Sequence, residues 1–240
     1  MKISVVVPAF NEERLLPGSL SSIRAAMREF ERIGWASELI VCDNNSTDRT
    51  AEIAKAAGAQ VVFEPVNQIG RARNAGAARA GGDWIFFVDA DSYPTAELFL
   101  EAADAIRTGC LAGGSTVAYE NARPAAAAAV GLWNAVSRIN KWAAGSFMFC
   151  EAAAFREAGG FSAELYASEE IDLFRRLKRM ARREGRTIAI LHRHPLSTSD
   201  RKLRLYSWRE LTRFMVKTVV SRGRTLRSRR DCFAWYDGRR

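Results

Sequence analysis

The fold of this chain is indicated by one stretch of sequence, Trp84-Ile85-Phe86-Phe87-Val88-Asp89-Ala90-Asp91. Its first five residues are aromatic or aliphatic, a composition typical of a buried strand. Two aspartates separated by one small residue follow at the carboxyl end of that strand. Such carboxylates can hold Mg²⁺ or Mn²⁺ against phosphate oxygens. An Asp-rich turn has the same composition, so the triplet alone leaves both interpretations open.

Strand and helix patterns alternate over the first 110 residues. Strands are predicted at 5–10, 38–43, 60–64 and 84–88, and helices at 15–33, 47–57, 70–80 and 95–108. This alternation predicts a mainly parallel α/β sheet with helices on both faces. Ligands of such sheets bind beyond the carboxyl ends of the strands. Because Asn11, Asp43 and Asp91 all follow predicted strands, we expect one site at that edge.

The second half of the chain has a less regular pattern. Strands are predicted at 113–119, 146–150 and 188–191, and helices at 122–144, 151–158 and 169–183, with Ser168 as the cap of the last. A further helix over 203–220 is amphipathic, with Arg209, Arg213 and Lys217 on one face. It predicts a basic helical extension after the α/β domain.

Size and composition fit one cytoplasmic domain with an appendage. The chain has 240 residues, a net charge of +9 and four cysteines without a CxxC spacing. We therefore expect reduced thiols. The first residues lack the apolar stretch of a signal peptide, and no apolar run reaches the roughly 18 residues that a membrane span requires.

The positive charge is concentrated at the end of the chain. Residues 201–240 hold 13 of the 36 Lys and Arg and 3 of the 27 Asp and Glu, whereas residues 1–200 are near neutral. Three partners suit such a basic amphipathic segment: an anionic membrane surface on the inner membrane face, a second subunit, or nucleic acid. We favour the first two, as peripheral membrane contact or a homo-oligomer, because the body of the chain is not basic.

Five motifs in the sequence together resemble a known family. They are VVVPAFNEE at 5–13, IVCDNNSTD at 40–48, GRARNAG at 70–76, FVDAD at 87–91, and GGF at 159–161 leading to EEIDL at 169–173. Their order is similar to that in family 2 glycosyltransferases, over residues 3 to about 200. The resemblance implies the GT-A fold in residues 1–200, with a nucleotide-sugar half (1–110) and an acceptor half (111–200), before the extension 201–240. It also implies transfer from a UDP- or GDP-sugar with inversion.

The resemblance also assigns roles to residues. It implies that the nucleotide and its diphosphate are bound by Pro8, Asn11, Glu12, Asp43, Arg71, Asn74, Asp89 and Ala90. Asp91 would bind Mn²⁺ or Mg²⁺, and His192 or His194 would complete the metal site. From the residues alone, Asp43 could instead begin a turn and Arg71 could face solvent. His192 and His194 lie on the same side of an extended segment, where a structural role is equally open. The segment 198–202 resembles a serine-and-basic segment of one bacterial subgroup and could form a loop that closes over the diphosphate. A basic, solvent-exposed loop is the alternative interpretation.

Inverting transfer needs a general base, and Glu169 and Glu170 are the candidates. The family usually has aspartate at the second position, so the longer Glu170 leaves the choice between them open. Two acids at a helix start are also explained by the helix dipole. The leading interpretation is a metal-dependent inverting glycosyltransferase with an unidentified acceptor. The alternatives are a non-catalytic GT-A-like binding module and a nucleotidyltransferase on a related fold. The first turn lacks the GxGxxG of a dehydrogenase.

Overall fold

A computed structural model describes residues 1–119, 124–201, 205, 208–221 and 223–236. The strands are β1 (Lys2–Ala9), β2 (Ala36–Asp43), β3 (Gln60–Phe63), β4 (Trp84–Val88), β5 (Ser92–Tyr93), β6 (Cys110–Tyr119), β7 (Phe147–Glu151) and β8 (Thr187–Thr198). The helices are α1 (Leu16–Arg32), α2 (Thr50–Ala56), α3 (Ile69–Arg79), α4 (Ala96–Arg107), α5 (Pro124–Asn140), α6 (Ala152–Glu157), α7 (Glu169–Arg183), α8 (Trp208–Val220) and α9 (Phe233–Tyr236), with a 3₁₀ turn at Arg224–Arg227.

All eight strands form one sheet, in the order β3-β2-β1-β4-β7-β6-β8-β5. The strands β1 to β4 run parallel to one another. β7 runs antiparallel to both β4 and β6, whereas β6 and β8 are parallel. The predicted single α/β sheet is therefore confirmed, and its parallel part is the Rossmann-like half that precedes β7.

Helices cover both faces of the sheet, which explains the continuous apolar runs of the central strands. Val5 and Phe86 pack into a core with α1 and α4, and their neighbours Val6 and Phe87 pack into a second core with α6 and α7. Gly76 lets α3 lie directly on β1, because a Cβ there would come within 2.4 Å of the Val6 side chain. All four cysteines are buried and free.

The differences from the sequence predictions include the strands β8 and β5 and the start of α7. β8 continues to Thr198 because its second part pairs with the end of β6 and with β5. β5 itself was not predicted, since it has two residues inside an Asp-rich turn. Ser168 precedes α7 in a left-handed conformation and its side chain does not cap the helix, so that predicted cap is wrong.

The C-terminal segment folds back onto the body of the protein. The Leu226 carbonyl accepts a hydrogen bond from the Tyr166 N–H at 2.7 Å, and the Tyr236 hydroxyl accepts one from the Ile69 N–H at 3.2 Å. The rings of Tyr166 and Tyr236 meet edge to face, 5.4 Å apart. The predicted beginning of the helix over 203–220 lies largely outside the described residues. None of the described helices combines the length and apolar character needed to cross a bilayer.

Candidate active site

The first part of the site is formed by the loops after β1 and β2. Asn11 has a φ of 52°, and its side-chain oxygen accepts a hydrogen bond from the Thr47 N–H at 2.8 Å. The Asn11 N–H donates to the Ser46 hydroxyl, and the Ser46 N–H donates to the buried Asp43 carboxylate at 3.0 Å. Pro8 is buried beside Cys42 of β2, beyond the last pair of β1 with β4. The loop after β1 and the loop after β2 are therefore joined to each other by hydrogen bonds.

α3 contributes two predicted residues, Arg71 and Asn74, which have different environments. Arg71 forms an ion pair with Glu64, and its side chain is 40% exposed. Both groups of the Asn74 amide bind the backbone of Phe161, with distances of 2.8 and 2.9 Å. Asn74 thus joins α3 to the turn at Gly160, and in this arrangement its amide already has partners within the protein. Contact of either residue with a nucleotide stays a prediction.

A buried arginine joins the acidic motif of β4 to the helix that carries the candidate bases. Arg73 is 1% exposed. Its guanidinium lies 2.9 Å from the Asp89 carboxylate and 2.6 Å from that of Glu169, and it also donates to the Gly145 carbonyl. The Phe161 ring lies 5.3 Å from the guanidinium carbon. Residues 96 positions apart in sequence are therefore held in one cluster.

This cluster distinguishes the two candidate bases. Glu169 is buried and bound to Arg73. Burial, together with the charge of Glu169, raises the pKa of Glu170 to about 8, and Arg73 opposes the shift. A carboxylate with a pKa near neutrality can accept a proton efficiently. By these properties Glu170 suits the task of a base better than Glu169, whose carboxylate is paired with Arg73.

Asp89-Ala90-Asp91 forms a tight turn at the end of β4, with buried Ala90 between the two aspartates. The Asp91 carbonyl accepts hydrogen bonds from Ser199 and Thr198 at the end of β8. Burial raises the pKa of the Tyr119 hydroxyl, and the charges of Asp91 and Asp89 raise it further. The turn is therefore closed in by residues from the second half of the chain.

Arg201 connects this turn to the first loop. Its guanidinium binds both oxygens of the Glu12 carboxylate, at 2.6 and 2.8 Å, and lies 3.4 Å from that of Asp91. Contacts thus run without a break from the Asp43 loop through Glu12 and Arg201 to Asp91. From Asp89 they continue through Arg73 to Glu169. A continuous series of contacts therefore joins the carboxylates of Asp43, Glu12, Asp91, Asp89 and Glu169.

The histidines lie elsewhere, against α4. Backbone N–H groups of His192, Arg193 and His194 all donate to the buried Glu101 carboxylate. The His192 side chain is exposed. Among the described residues, no group of three or more His, Cys, Asp and Glu side chains is arranged to hold a metal. The prediction that His192 completes a metal site with Asp91 finds no support in this geometry.

Sequence reasoning assigned no role to Arg73, and it considered Arg201 only as part of the segment 198–202. The signal for Arg73 was present, because Gly70, Gly76 and Ala77 lie three or four positions away on the same helical face. Small residues there indicate a helix face pressed against the sheet, so an arginine on it must be buried with a partner. The partners themselves come from β4 and α7.

Comparisons with known proteins agree with this architecture. An uncharacterized glycosyltransferase of Mycobacterium tuberculosis is 42% identical over 89 residues, which is 37% of this chain and 36% of the relative. The poly(ribitol-phosphate) β-N-acetylglucosaminyltransferase TarS of Staphylococcus aureus is 32% identical over 110 residues, 43% of this chain and 18% of TarS. The aligned regions thus span about a third or less of these relatives.

Solved structures with the same fold cover more of the chain. A crystal structure of S. aureus TarS superimposes with a TM-score of 0.65 at 23% identity, covering 84% of this chain and 61% of that one. Glucosyl-3-phosphoglycerate synthase of M. tuberculosis, in complex with Mn²⁺, UDP and glucosyl-3-phosphoglycerate, gives a TM-score of 0.60 at 23% identity, covering 92% and 79%. The family model for glycosyl transferase family 2 matches residues 4–154. With more than half of its length matched, the chain belongs to glycosyl transferase family 2.

Proposed function

We propose that this chain is an inverting glycosyltransferase that uses Mn²⁺ or Mg²⁺ and takes a UDP- or GDP-sugar as donor. Residues 1–110 would bind the donor, residues 111–200 the acceptor, and residues 201–240 would form a basic extension. The observation that carries the proposal is the Arg73 cluster. In this cluster the Arg73 guanidinium binds both Asp89, in the turn after β4, and Glu169, at the start of α7. TarS and the synthase have been solved with UDP or a UDP-sugar, which supports the choice of donor.

The donor set at Asp91 fits a divalent cation. Carboxylate oxygens of Glu12 and Asp91 converge on a single guanidinium, so negative charge is concentrated at one point. Mg²⁺ and Mn²⁺ bind through one or two carboxylates and complete their coordination with phosphate oxygens and water. Asp91 would hold the cation, with Glu12 beside it. A cation there would stabilise the negative charge of the departing nucleoside diphosphate.

Glu170 is the proposed general base. It would take the proton from the acceptor hydroxyl while that oxygen forms a bond to the anomeric carbon. The bond from that carbon to the diphosphate oxygen breaks on the opposite side, and its electron pair leaves with the nucleoside diphosphate. Glu169 would position the start of α7 through Arg73. Gly145 leaves room for the two side chains, because a Cβ at this position would lie 3.2 Å from Arg73 and 3.7 Å from the Glu170 carboxyl carbon.

Turnover of UDP- and GDP-sugars with Mn²⁺, measured as release of nucleoside diphosphate, tests the proposal. Glu170→Gln should keep nucleotide affinity and lower turnover by roughly 10²–10⁴-fold, the usual contribution of a general base. Glu184→Gln, an exposed glutamate just after the same helix, is the matched control. Asp91→Asn should abolish the Mn²⁺-dependent part of nucleoside diphosphate binding.

Three results would contradict the proposal in different ways. Nucleotide binding without turnover, unchanged in Glu170→Gln, would identify a non-catalytic binding module. Release of pyrophosphate would identify a nucleotidyltransferase. No turnover together with no binding of UDP or GDP would exclude the proposed donor class altogether.

We also propose that α8 contacts an anionic membrane surface. Val216 and Val220 are 57% and 78% exposed, and Arg209, Arg213 and Lys217 lie along the same helix. Apolar side chains flanked by cations suit a lipid interface. The protein should sediment with vesicles containing anionic lipid and stay in solution with neutral ones, and Val216→Ser should weaken sedimentation. Sedimentation with neither vesicle, together with a dimer in light scattering, would instead assign α8 to self-association.

A further inference from the structure

Arg201 occupies the point where the proposed cation site and the first loop meet. Its two terminal nitrogens bind Glu12 at 2.6 and 2.8 Å, and one of them also lies 3.4 Å from the Asp91 carboxylate. The side chains of Arg201, Glu12 and Asp91 are 18%, 7% and 12% exposed. Such a paired, largely desolvated contact differs from an arginine that merely reaches over the surface.

A guanidinium and a divalent cation compete for such a position. Both are cations that bind carboxylate oxygens, and two positive centres within a few ångströms repel each other in a partly buried site. An arginine guanidinium keeps its charge throughout the pH range in which proteins work. It cannot yield the site by losing a proton.

The guanidinium can leave without disrupting the sheet. The Asp91 carbonyl is held by the Ser199 N–H and the Thr198 hydroxyl, which precede Arg201 and belong to the end of β8 and its turn. The Arg201 N–H donates to the Ser199 hydroxyl at 3.2 Å. Movement can therefore be confined to the Arg201 side chain, while the pairing of β5 with β8 stays intact.

We infer that Arg201, among the residues that the structure describes, acts as a resident cation of this site: it holds Glu12 and Asp91 together when no metal is bound, and it is displaced when a divalent cation binds Asp91. The inference rests on the proposed function for the identity of the site. Metal loading then has a second consequence besides charge neutralisation. It releases the residue that joins the end of β8 to the first loop, so binding of the cation is coupled to that connection. By linkage, whatever strengthens the contacts of Arg201 with Glu12 and Asp91 weakens binding of the cation, and the reverse also holds.

Calorimetric titration of the full chain with Mn²⁺ alone tests this coupling without requiring turnover. Arg201→Gln removes the competing charge and should bind Mn²⁺ about tenfold more tightly than the parent, a factor that corresponds to roughly 1.4 kcal/mol. Arg186→Gln is the matched control, because Arg186 also pairs with a carboxylate, Glu151, and its side chain is 28% exposed. That variant should bind Mn²⁺ as the parent does.

Arg201→Lys keeps the protein testable if the glutamine variant fails to fold. Lysine carries the charge at one point and cannot bridge two carboxylates as the fork of arginine does. Its Mn²⁺ affinity should rise by a smaller factor, about threefold, roughly 0.65 kcal/mol. Unchanged Mn²⁺ affinity in both Arg201 variants would overturn the inference. An equal gain in Arg186→Gln would overturn it too, because net charge would then explain the effect.

Failure of the inference and failure of the proposed function give different results. If Arg201→Gln tightens Mn²⁺ binding but no UDP- or GDP-sugar is turned over, the competition stands and the donor class is wrong. If donors are turned over with Mn²⁺ while the Arg201 variants bind the metal like the parent, the function stands and the competition is wrong.

Discussion

Replacing Arg73 with methionine should destabilise the protein strongly. The substitution removes the guanidinium and leaves the carboxylates of Asp89 and Glu169 without their partner, together with the carbonyl of Gly145. The Glu169 and Asp89 side chains are 4% and 17% exposed, so solvent can replace little of what is lost. Methionine fills much of the arginine volume, so the loss measured is mainly electrostatic.

The expected size of the loss follows from the burial of the pair. Removing one partner of a buried ion pair costs about 3–5 kcal/mol, which is a large share of the roughly 5–15 kcal/mol that stabilises a typical domain. This corresponds to more than about a hundredfold in the unfolding equilibrium constant. With a urea slope of about 2–3 kcal/mol/M, the midpoint should fall by roughly 1–2.5 M.

Urea unfolding followed by tryptophan fluorescence measures this change, and the same helix supplies the control. Arg71→Met removes an arginine two positions away, whose ion pair with Glu64 is 40% exposed on the arginine side. Exposed pairs contribute about 0–1 kcal/mol, so this control should hardly shift the midpoint.

A double variant tests whether unpaired charge is the cause. Adding Glu169→Gln to Arg73→Met removes one of the stranded carboxylates and should recover part of the lost free energy of unfolding. Equal losses in Arg73→Met and Arg71→Met would refute the reasoning, and so would a double variant less stable than Arg73→Met alone.

Further predictions concern Glu170, Gly160 and Glu101. Burial and the charge of Glu169 raise the pKa of Glu170 to about 8, with a smaller contribution from Asp89 and against the effect of Arg73. Because a general base must be deprotonated to act, kcat/KM should increase with pH up to about 8. The raised pKa also makes stability depend on pH, because the folded protein binds this proton more tightly than the unfolded chain does. The stabilisation is fully present below pH 4.5, the ordinary pKa of a glutamate, and it is lost as pH rises towards 8. Glu170→Gln should remove that decline in urea titrations. Gly160→Ala should lower the free energy of unfolding by about 1–3 kcal/mol in thermal unfolding, because φ is 69° and the new Cβ would lie 2.7 Å from Asn74. The control Gly159→Ala has φ 79° and open space around the Cβ, so it should lower that free energy by about 1 kcal/mol or less. Equal losses in the two variants would exclude the Asn74 contact as the cause. Glu101→Leu should lower the free energy of unfolding in urea by about 1–3 kcal/mol, because N–H groups of β8 would lose their acceptor. The same change at the exposed Glu97 should hardly alter it. Similar urea midpoints for the two variants would contradict this prediction.

Most of the secondary structure could be predicted because its signals are local. β4 and α7 begin and end where the sequence predicts, since an apolar run and an acidic helix start are both visible within a few residues. β8 was predicted as a short strand, because Leu196 and Thr198 join it only through the end of β6 and through β5. Pairing with distant strands leaves no periodic trace in the segment itself.

The candidate site could be predicted in part for the same reason. Asp43 and Asp91 follow apolar strands, and Glu169 and Glu170 begin a helix, so residue type and position in an element were enough to select them. The metal role predicted for His192 rested on a resemblance and on alternation, and the fold directs that segment to Glu101 instead.

The sequence by itself determined the class of fold, the edge of the sheet that carries the acidic residues and the candidates for the base. These follow from periodicity and from the order of strands and helices along the chain. Only the tertiary structure decided which charges meet: Arg73 with Asp89 and Glu169, and Arg201 with Glu12 and Asp91. The physical reason is that Coulomb and hydrogen-bond energies depend on distance and burial in space. Both are set by packing between segments far apart along the chain.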